Sequence, residues 1–140
     1  MPPRFVVDTN VIVSAVLLPR SKARLAFERV SQVGTLLVSA ETITEMNDVL
    51  RRDDFNKYVS EALRIEFLAA LLRDTEFIEI TEDIMACRDP RDDKFLSLAI
   101  SGYADCIISG DKDLHDLHPF RHVQILSPSQ FLESNWASLI

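Results

Sequence analysis

Five acidic residues stand where the sequence pattern predicts strand ends or the first turns of helices. Asp8 directly follows a short apolar run, Asp111 follows another, and Asp113 lies two residues further on. Glu45 falls in the second turn of a predicted helix, and Asp92 falls in the first turn of a later one. Carboxylates that converge repel each other at neutral pH unless they are protonated or share a cation. Because oxygen ligands without His or Cys select a hard divalent ion, these acids predict a Mg²⁺ or Mn²⁺ site.

The rest of the sequence narrows the chemistry of such a site. The chain has only 3 glycines, and none of them forms a glycine-rich phosphate loop. No Ser–His pair or nucleophilic Cys accompanies the acids, so hydrolysis by metal-activated water is the reaction that fits. A phosphodiester suits this chemistry, because divalent ions neutralise its non-bridging oxygens and its leaving oxygen.

Alternating strands and helices predict the elements that must position the acids. We predict strands at residues 5–7, 36–38, 77–80, 106–108 and 123–126, and helices at residues 10–18, 21–32, 40–52, 59–73, 89–101 and 130–133. This alternation is typical of an α/β fold in three layers, with a central, mostly parallel five-stranded sheet covered by helices on both faces. Right-handed crossovers bring the carboxyl ends of the strands to one edge, where ligands of such folds bind.

Taken singly, each acid also has a structural explanation as a helix cap, a dipole partner, a surface charge or a turn residue. Two adjacent acids, Asp92 and Asp93, leave open which is the primary ligand. Asp92 shares a face with Phe95, Leu96 and Ala99 at helical spacing, which favours Asp92 at the rim of a buried face.

Charge is distributed unevenly along the chain. The net charge is −7, but residues 1–73 hold 10 basic and 9 acidic residues, whereas residues 74–140 hold 5 and 13. The overall sign argues against a generic nucleic-acid coat protein. The near-neutral first half nevertheless supplies candidate phosphate contacts at Arg20, Lys22 and Arg24, with a second basic group at residues 51–57. Ordinary solvated helix charge is the alternative explanation for both groups.

Length and composition favour one cytoplasmic domain spanning residues 1–140. The 2 cysteines have no metal-ligand spacing, which is typical of a reducing compartment. No uncharged stretch approaches the roughly 20 residues that a membrane-spanning helix requires, so no membrane association is expected.

Four stretches carry a resemblance to the PIN-domain family of metal-dependent nucleases. They are residues 6–11 (VVDTNV), residues 39–50 around Glu45, residues 89–99 (DPRDDKFLSLA) and residues 104–114 (ADCIISGDKDL). They follow the family's order from end to end of the chain, and the subgroup that they resemble is the VapC-like toxins of toxin–antitoxin systems.

The resemblance implies a site, a cofactor and partners. It implies Mg²⁺- or Mn²⁺-dependent cleavage of RNA by an acidic quartet of Asp8, Glu45, Asp92 and Asp111, with Asp113 as a fifth metal ligand. It also implies that Asn10 and Ser109 orient these acids, with Asp93 beside them. Expected partners are an RNA substrate, a small antitoxin protein and a second copy of the chain in a homodimer.

Two alternatives stay open at this stage. A catalytically degenerate PIN-like module would bind RNA or a protein without cleaving, although the retained acids argue against it. A phosphatase of the haloacid-dehalogenase type would use an Asp after the first strand as nucleophile. That chemistry requires a second Asp two residues later, where this chain has Asn10.

Overall fold

The computed structural model describes residues 2–139, and these contain one five-stranded sheet between two layers of helices. The strands are β1 (Arg4–Val7), β2 (Thr35–Val38), β3 (Thr75–Phe77), β4 (Cys106–Ile108) and β5 (Gln124–Leu126). The helices are α1 (Thr9–Leu17), α2 (Lys22–Val33), α3 (Ala40–Leu50), α4 (Glu61–Arg73), α5 (Asp93–Ser101), α6 (Lys112–His115) and α7 (Pro128–Glu133). All strand pairs are parallel, in the order β3-β2-β1-β4-β5, which confirms the predicted fold class.

The two faces of the sheet bury two different apolar clusters. Successive side chains of a strand point to opposite faces, and in β1 Phe5 and Val7 belong to one cluster while Val6 belongs to the other. The first cluster packs under α1, α2, α3, α4 and α7. The second packs under α5, where Phe95 and Leu96 are both buried. Since both faces are covered, the strands are almost continuously apolar, as expected for a parallel sheet.

The structure differs from the sequence prediction at the third strand. Residues 77–80 alternate apolar and polar side chains, but the strand that pairs with β2 lies two residues earlier, with Thr75 opposite Leu36 and Phe77 opposite Val38. Ile78 and Ile80 instead pack against the second apolar cluster beyond the end of β3. The Ile78 N–H still donates to the Val38 carbonyl of β2 at 2.8 Å, so the alternation reports partial burial at the end of the strand more than the extent of its pairing.

Several short helical elements were not predicted as such, and two of them lie beside the acids. Helix α6 has only four residues, and Asp111 caps it. The predicted helix at residues 89–101 consists of a 3₁₀ turn, Pro90–Asp92, followed by α5. Both deviations lie at the edge of the sheet where the acids were predicted to meet, so they affect the orientation of those side chains.

The strand order reverses between β1 and β4. Val7 of β1 pairs with Ile108 of β4, and from these central strands the chain winds outward in opposite directions. Ligands of open α/β sheets bind in the crevice at such a reversal, outside the carboxyl ends of the strands. Asp8 and Ser109 are the first residues after these two strands. Within residues 2–139, no helix is both long and apolar enough to cross a membrane.

Candidate metal centre

Asp8 lies buried at the end of β1, with only 4% of its surface exposed. Its Oδ2 accepts a hydrogen bond of 2.6 Å from the Ser109 hydroxyl, and its Oδ1 accepts one of 3.1 Å from the backbone N–H of Asn10. Desolvation raises the pKa of Asp8 above its usual value, although these two hydrogen bonds oppose the shift. Asp8 is thus both the N-cap of α1 and a carboxylate of the crevice, so capping the helix is compatible with the predicted place of Asp8 in the acidic group.

A chain of hydrogen bonds links Ser109 to the two later acids. The Ser109 hydroxyl accepts from the backbone N–H of Asp111 at 3.0 Å, and Asp111 Oδ1 accepts from the N–H of Asp113 at 2.8 Å. On its other side, the Ser109 carbonyl oxygen accepts a hydrogen bond of 2.5 Å from Nε2 of His115. Ser109 therefore fixes Asp8 and the turn that carries Asp111.

Asp92, Asp111 and Asp113 converge in space. One carboxylate oxygen from each lies within 4.8 Å of the other two, a grouping that could hold a metal ion. Desolvation, followed by the nearby charge of Asp111, raises the pKa of Asp92 to about 7. Burial and a neighbouring like charge both disfavour the charged form of a carboxylate.

Two buried oxygens in this region lack hydrogen-bond partners. Among residues 2–139, only Thr9 Oγ1 and Asp92 Oδ2 are buried side-chain polar atoms with no partner. Both residues line one cavity of about 350 Å³, together with Asp8, Asn10, Glu45, Val49, Arg52, Asp89, Arg91 and Asp111. A buried carboxylate oxygen without a partner is costly unless a ligand completes its coordination. The donor set, oxygen only and carboxylate-rich, therefore fits a hard divalent cation.

The adjacent acids Asp92 and Asp93 have different surroundings. Asp93 Oδ1 accepts hydrogen bonds from the backbone N–H groups of Cys87 at 2.7 Å and Ala86 at 3.1 Å. Desolvation raises the pKa of Asp93, but these bonds outweigh it and hold the pKa below its usual value. Asp93 thus fastens the segment that precedes α5, while the 3₁₀ turn directs Asp92 to the carboxylate group.

Glu45 lines the same cavity but stands outside the group of three carboxylates. Its Oε2 lies 2.7 Å from Nζ of Lys94, whose side chain is only 9% exposed. No local sequence pattern indicates the role of Lys94, because its partner is 49 residues away in the chain. Lysine at the start of an amphipathic helix gave no signal that would have revealed this ion pair.

The basic residues considered as phosphate contacts lie either near the start of α2 or at the acidic cavity. Arg20 and Lys22 are exposed around the start of α2, whereas Arg24 donates to the Ala15 carbonyl at 2.9 Å and pairs with Glu28 at 3.2 Å. None of the three lines the acidic cavity, among the residues described. Two other arginines do line it, Arg52 and Arg91. Of these, Arg52 belongs to the second basic group named from the sequence.

The chain belongs to the PIN domain family, because the family's model matches residues 4–113. This span contains every acid of the cavity. Membership of the family favours the nuclease alternative over the phosphatase alternative. A comparison with curated proteins gave no match.

Solved structures with the same fold agree with this membership. VapBC2 from Rickettsia felis, bound to a DNA fragment from their promoter, is similar with a TM-score of 0.61 at 13% identity, covering 89% of this chain and 98% of that one. DNA-bound VapBC from Salmonella typhimurium gives 0.60 at 11% identity, covering 90% and 98%. VapBC-1 from nontypeable Haemophilus influenzae gives 0.59 at 16% identity, also covering 90% and 98%. At these identities the likeness establishes the shared fold.

Proposed function

We propose that this chain is a Mg²⁺- or Mn²⁺-dependent endoribonuclease and the toxin of a toxin–antitoxin pair. The observation that carries the proposal is the convergence of Asp92, Asp111 and Asp113 beside the buried Asp8, with one oxygen of Asp92 left without a partner. Membership of the PIN domain family supports nuclease activity. The shared fold with three VapBC structures supports the toxin assignment and an antitoxin partner.

Each acid has a defined part in this proposal. Asp92, Asp111 and Asp113 hold the divalent ion, and Asp8, fixed by Ser109, completes the negative wall of the crevice. When bound, a divalent ion activates water and neutralises charge on the phosphate. Glu45 lines the same cavity and orients the attacking water, while Arg52 and Arg91 contact phosphates of the RNA backbone.

The domain and its compartment rest on length, composition and cysteine usage, and the substrate and assembly rest on the family resemblance. We propose one cytoplasmic domain for residues 1–140, an RNA substrate and a homodimeric assembly. Asn10 supports Asp8 through its backbone N–H, at 3.1 Å from Oδ1, and this contact is available to any residue type except proline.

Asp8→Asn tests the proposed function. Asparagine keeps an acceptor for the Asn10 N–H but removes the buried charge, so cleavage of single-stranded RNA should be abolished. Thermal stability in the absence of metal should be unchanged or raised, because an uncharged side chain is cheaper to bury. In the wild type, Mn²⁺ should raise the melting temperature, since a ligand that binds only the folded state stabilises it.

Asp48→Asn is the matched control, because Asp48 is exposed on α3 and its change removes the same charge. It should cleave RNA at the wild-type rate. Normal cleavage by Asp8→Asn would contradict the proposed site. A wild type that neither cleaves RNA nor is stabilised by Mn²⁺ would instead favour the degenerate binding module.

A further inference from the structure

The side chain of Lys94 is almost entirely buried beside the acidic cavity. Its Nζ lies 2.7 Å from Glu45 Oε2, donates to the Arg91 carbonyl oxygen and lies 5.4 Å from the centre of the Phe95 ring. Its side chain is 9% exposed, against 83% for Lys112 between the nearby acids Asp111 and Asp113. An ammonium with this little solvent is fixed in place by its partners.

The Lys94–Glu45 pair sets Glu45 apart from the three grouped carboxylates. Asp92, Asp111 and Asp113 offer oxygens within 4.8 Å of one another. Glu45 already has a cation, at hydrogen-bond distance. Sites that bind two metal ions hold them roughly 3.5–4 Å apart, and each ion requires anionic ligands. Here the ligand on the Glu45 side is occupied by the ammonium group.

We propose that the site takes one divalent ion, at Asp92, Asp111 and Asp113, and that the Lys94 ammonium replaces a second ion on the Glu45 side. Lys94 is then a positioning residue that acts through Glu45. It holds that carboxylate away from the ion and supplies the positive charge opposite it. This inference rests on the proposed metal site and specifies how many ions that site binds.

An ordinary structural salt bridge between α3 and α5 would have different consequences. It would contribute stability, but its loss would leave the number of bound ions unchanged. In the proposed arrangement, removal of the ammonium exposes Glu45 to the cavity and removes a repulsion that acts on any second dication. Because Coulomb energies are large at short distance and low solvent exposure, the effect on a second ion is at least about tenfold in affinity.

The experiment counts Mn²⁺ ions per chain in four proteins, by calorimetry and by electron paramagnetic resonance. The wild type should bind one ion with the spectrum of an isolated Mn²⁺. Lys94→Met should bind a second ion at least about tenfold more tightly than any second binding by the wild type, with the exchange-coupled spectrum of two neighbouring ions. Lys94→Arg, which keeps the charge, should bind one.

Lys112→Met is the matched control, since it removes the same charge from an exposed lysine near the same acids. It should bind one ion. In the double variant Lys94→Met with Glu45→Gln, the second ion should disappear again, because its ligand is gone. Glu45→Gln alone should bind one ion with affinity close to that of the wild type. This variant keeps the proposal testable even if Lys94→Met does not fold.

The outcomes separate this inference from the proposed function. Two ions bound to the wild type, one ion bound to a folded Lys94→Met, or loss of the first ion in Glu45→Gln would each overturn the inference. None of these results would affect the assignment as a metal-dependent nuclease. Absence of any Mn²⁺ binding by the wild type would instead refute the proposed metal site on which both depend.

Discussion

The Ser109 hydroxyl donates a hydrogen bond of 2.6 Å to Oδ2 of Asp8, joining the ends of two central strands that are 101 residues apart in the chain. The same hydroxyl oxygen accepts from the backbone N–H of Asp111 at 3.0 Å. One small side chain therefore sets the position of an acid on β1 and of another after β4. Ser109 is fully buried.

Ser109→Ala should destabilise the protein and impair cleavage together. It removes one of the two hydrogen bonds to a buried carboxylate, and a buried acceptor left without its partner costs about 1–3 kcal/mol. Urea denaturation measures the loss of stability, and RNA cleavage under saturating Mn²⁺ measures the loss of activity. Ser109→Thr keeps the hydroxyl and should retain most of both properties. An alanine variant with wild-type stability and activity would show that this hydrogen bond has no such role.

Asp92 should make the stability of the metal-free protein depend on pH near neutrality. Desolvation and the charge of Asp111 raise its pKa to about 7 in the folded state, from an unfolded value near 3.9. An acid with a raised pKa stabilises the folded state fully below the unfolded value, and this contribution is lost as the pH rises through about 7. In the presence of a chelator, Asp92→Asn should therefore melt higher than the wild type at about pH 8 and by a smaller margin at about pH 5, because the loss begins above the unfolded pKa.

The other titrating groups are the same in Asp92→Asn and in the wild type, so their contributions to the pH dependence cancel in the difference between the two melting temperatures. Asp48→Asn should follow the wild type at both pH values, because Asp48 is exposed. Added Mn²⁺ should make the wild type melt higher than Asp92→Asn at the higher pH, since only the wild type offers the ion all of its carboxylate ligands. A difference between Asp92→Asn and the wild type that does not change with pH would rule out this explanation.

Asp93→Ala should affect stability more than metal binding. Asp93 accepts from the backbone N–H groups of Cys87 and Ala86, and its loss leaves both donors without that partner. We expect a loss of about 0.5–1.5 kcal/mol in unfolding free energy, because water can reach both partly exposed N–H groups. The Mn²⁺ affinity, measured by calorimetry at a temperature where the variant is folded, should change far less than in Asp92→Ala. The opposite ranking would make Asp93 the primary ligand.

These two acids illustrate how far the sequence determines the site. Helical spacing from Ala99 favoured Asp92, and the structure groups Asp92 with Asp111 and Asp113. The spacing argument assumed one continuous helix, whereas a 3₁₀ turn precedes α5 and sets the direction of Asp92. Strand ends were predictable because apolar runs in a parallel sheet are continuous and end abruptly at polar residues. The Lys94–Glu45 pair was not predictable, because a contact between two helices far apart in the chain leaves no local sequence pattern.

Arg64 holds the segment that follows α3, which carries the cavity residue Arg52. Its side chain is 0% exposed, and its guanidinium donates to the carbonyl oxygens of Leu50 at 2.7 Å and Arg52 at 3.1 Å, to that of Val59, and to Asn56 Oδ1 at 3.1 Å. Arg64→Met should cost at least about 1–3 kcal/mol, because one buried and three partly buried acceptors lose their donor. Arg73→Met, at the exposed end of the same helix, should cost little. Equal losses of unfolding free energy in urea would contradict this role.

Arg52 should contribute more to RNA binding than Arg20. Arg52 lines the acidic cavity, whereas Arg20 lies beside an apolar hollow at residues 18–21. Arg52→Ala should raise the KM for a single-stranded RNA with little change in kcat, and should reduce the slope of log affinity against log salt by about 0.7. Arg51→Ala is the matched control, because Arg51 pairs with Glu61 at 3.4 Å. A larger rise in KM for Arg20→Ala than for Arg52→Ala would favour RNA binding at the start of α2, the first of the two basic groups found in the sequence.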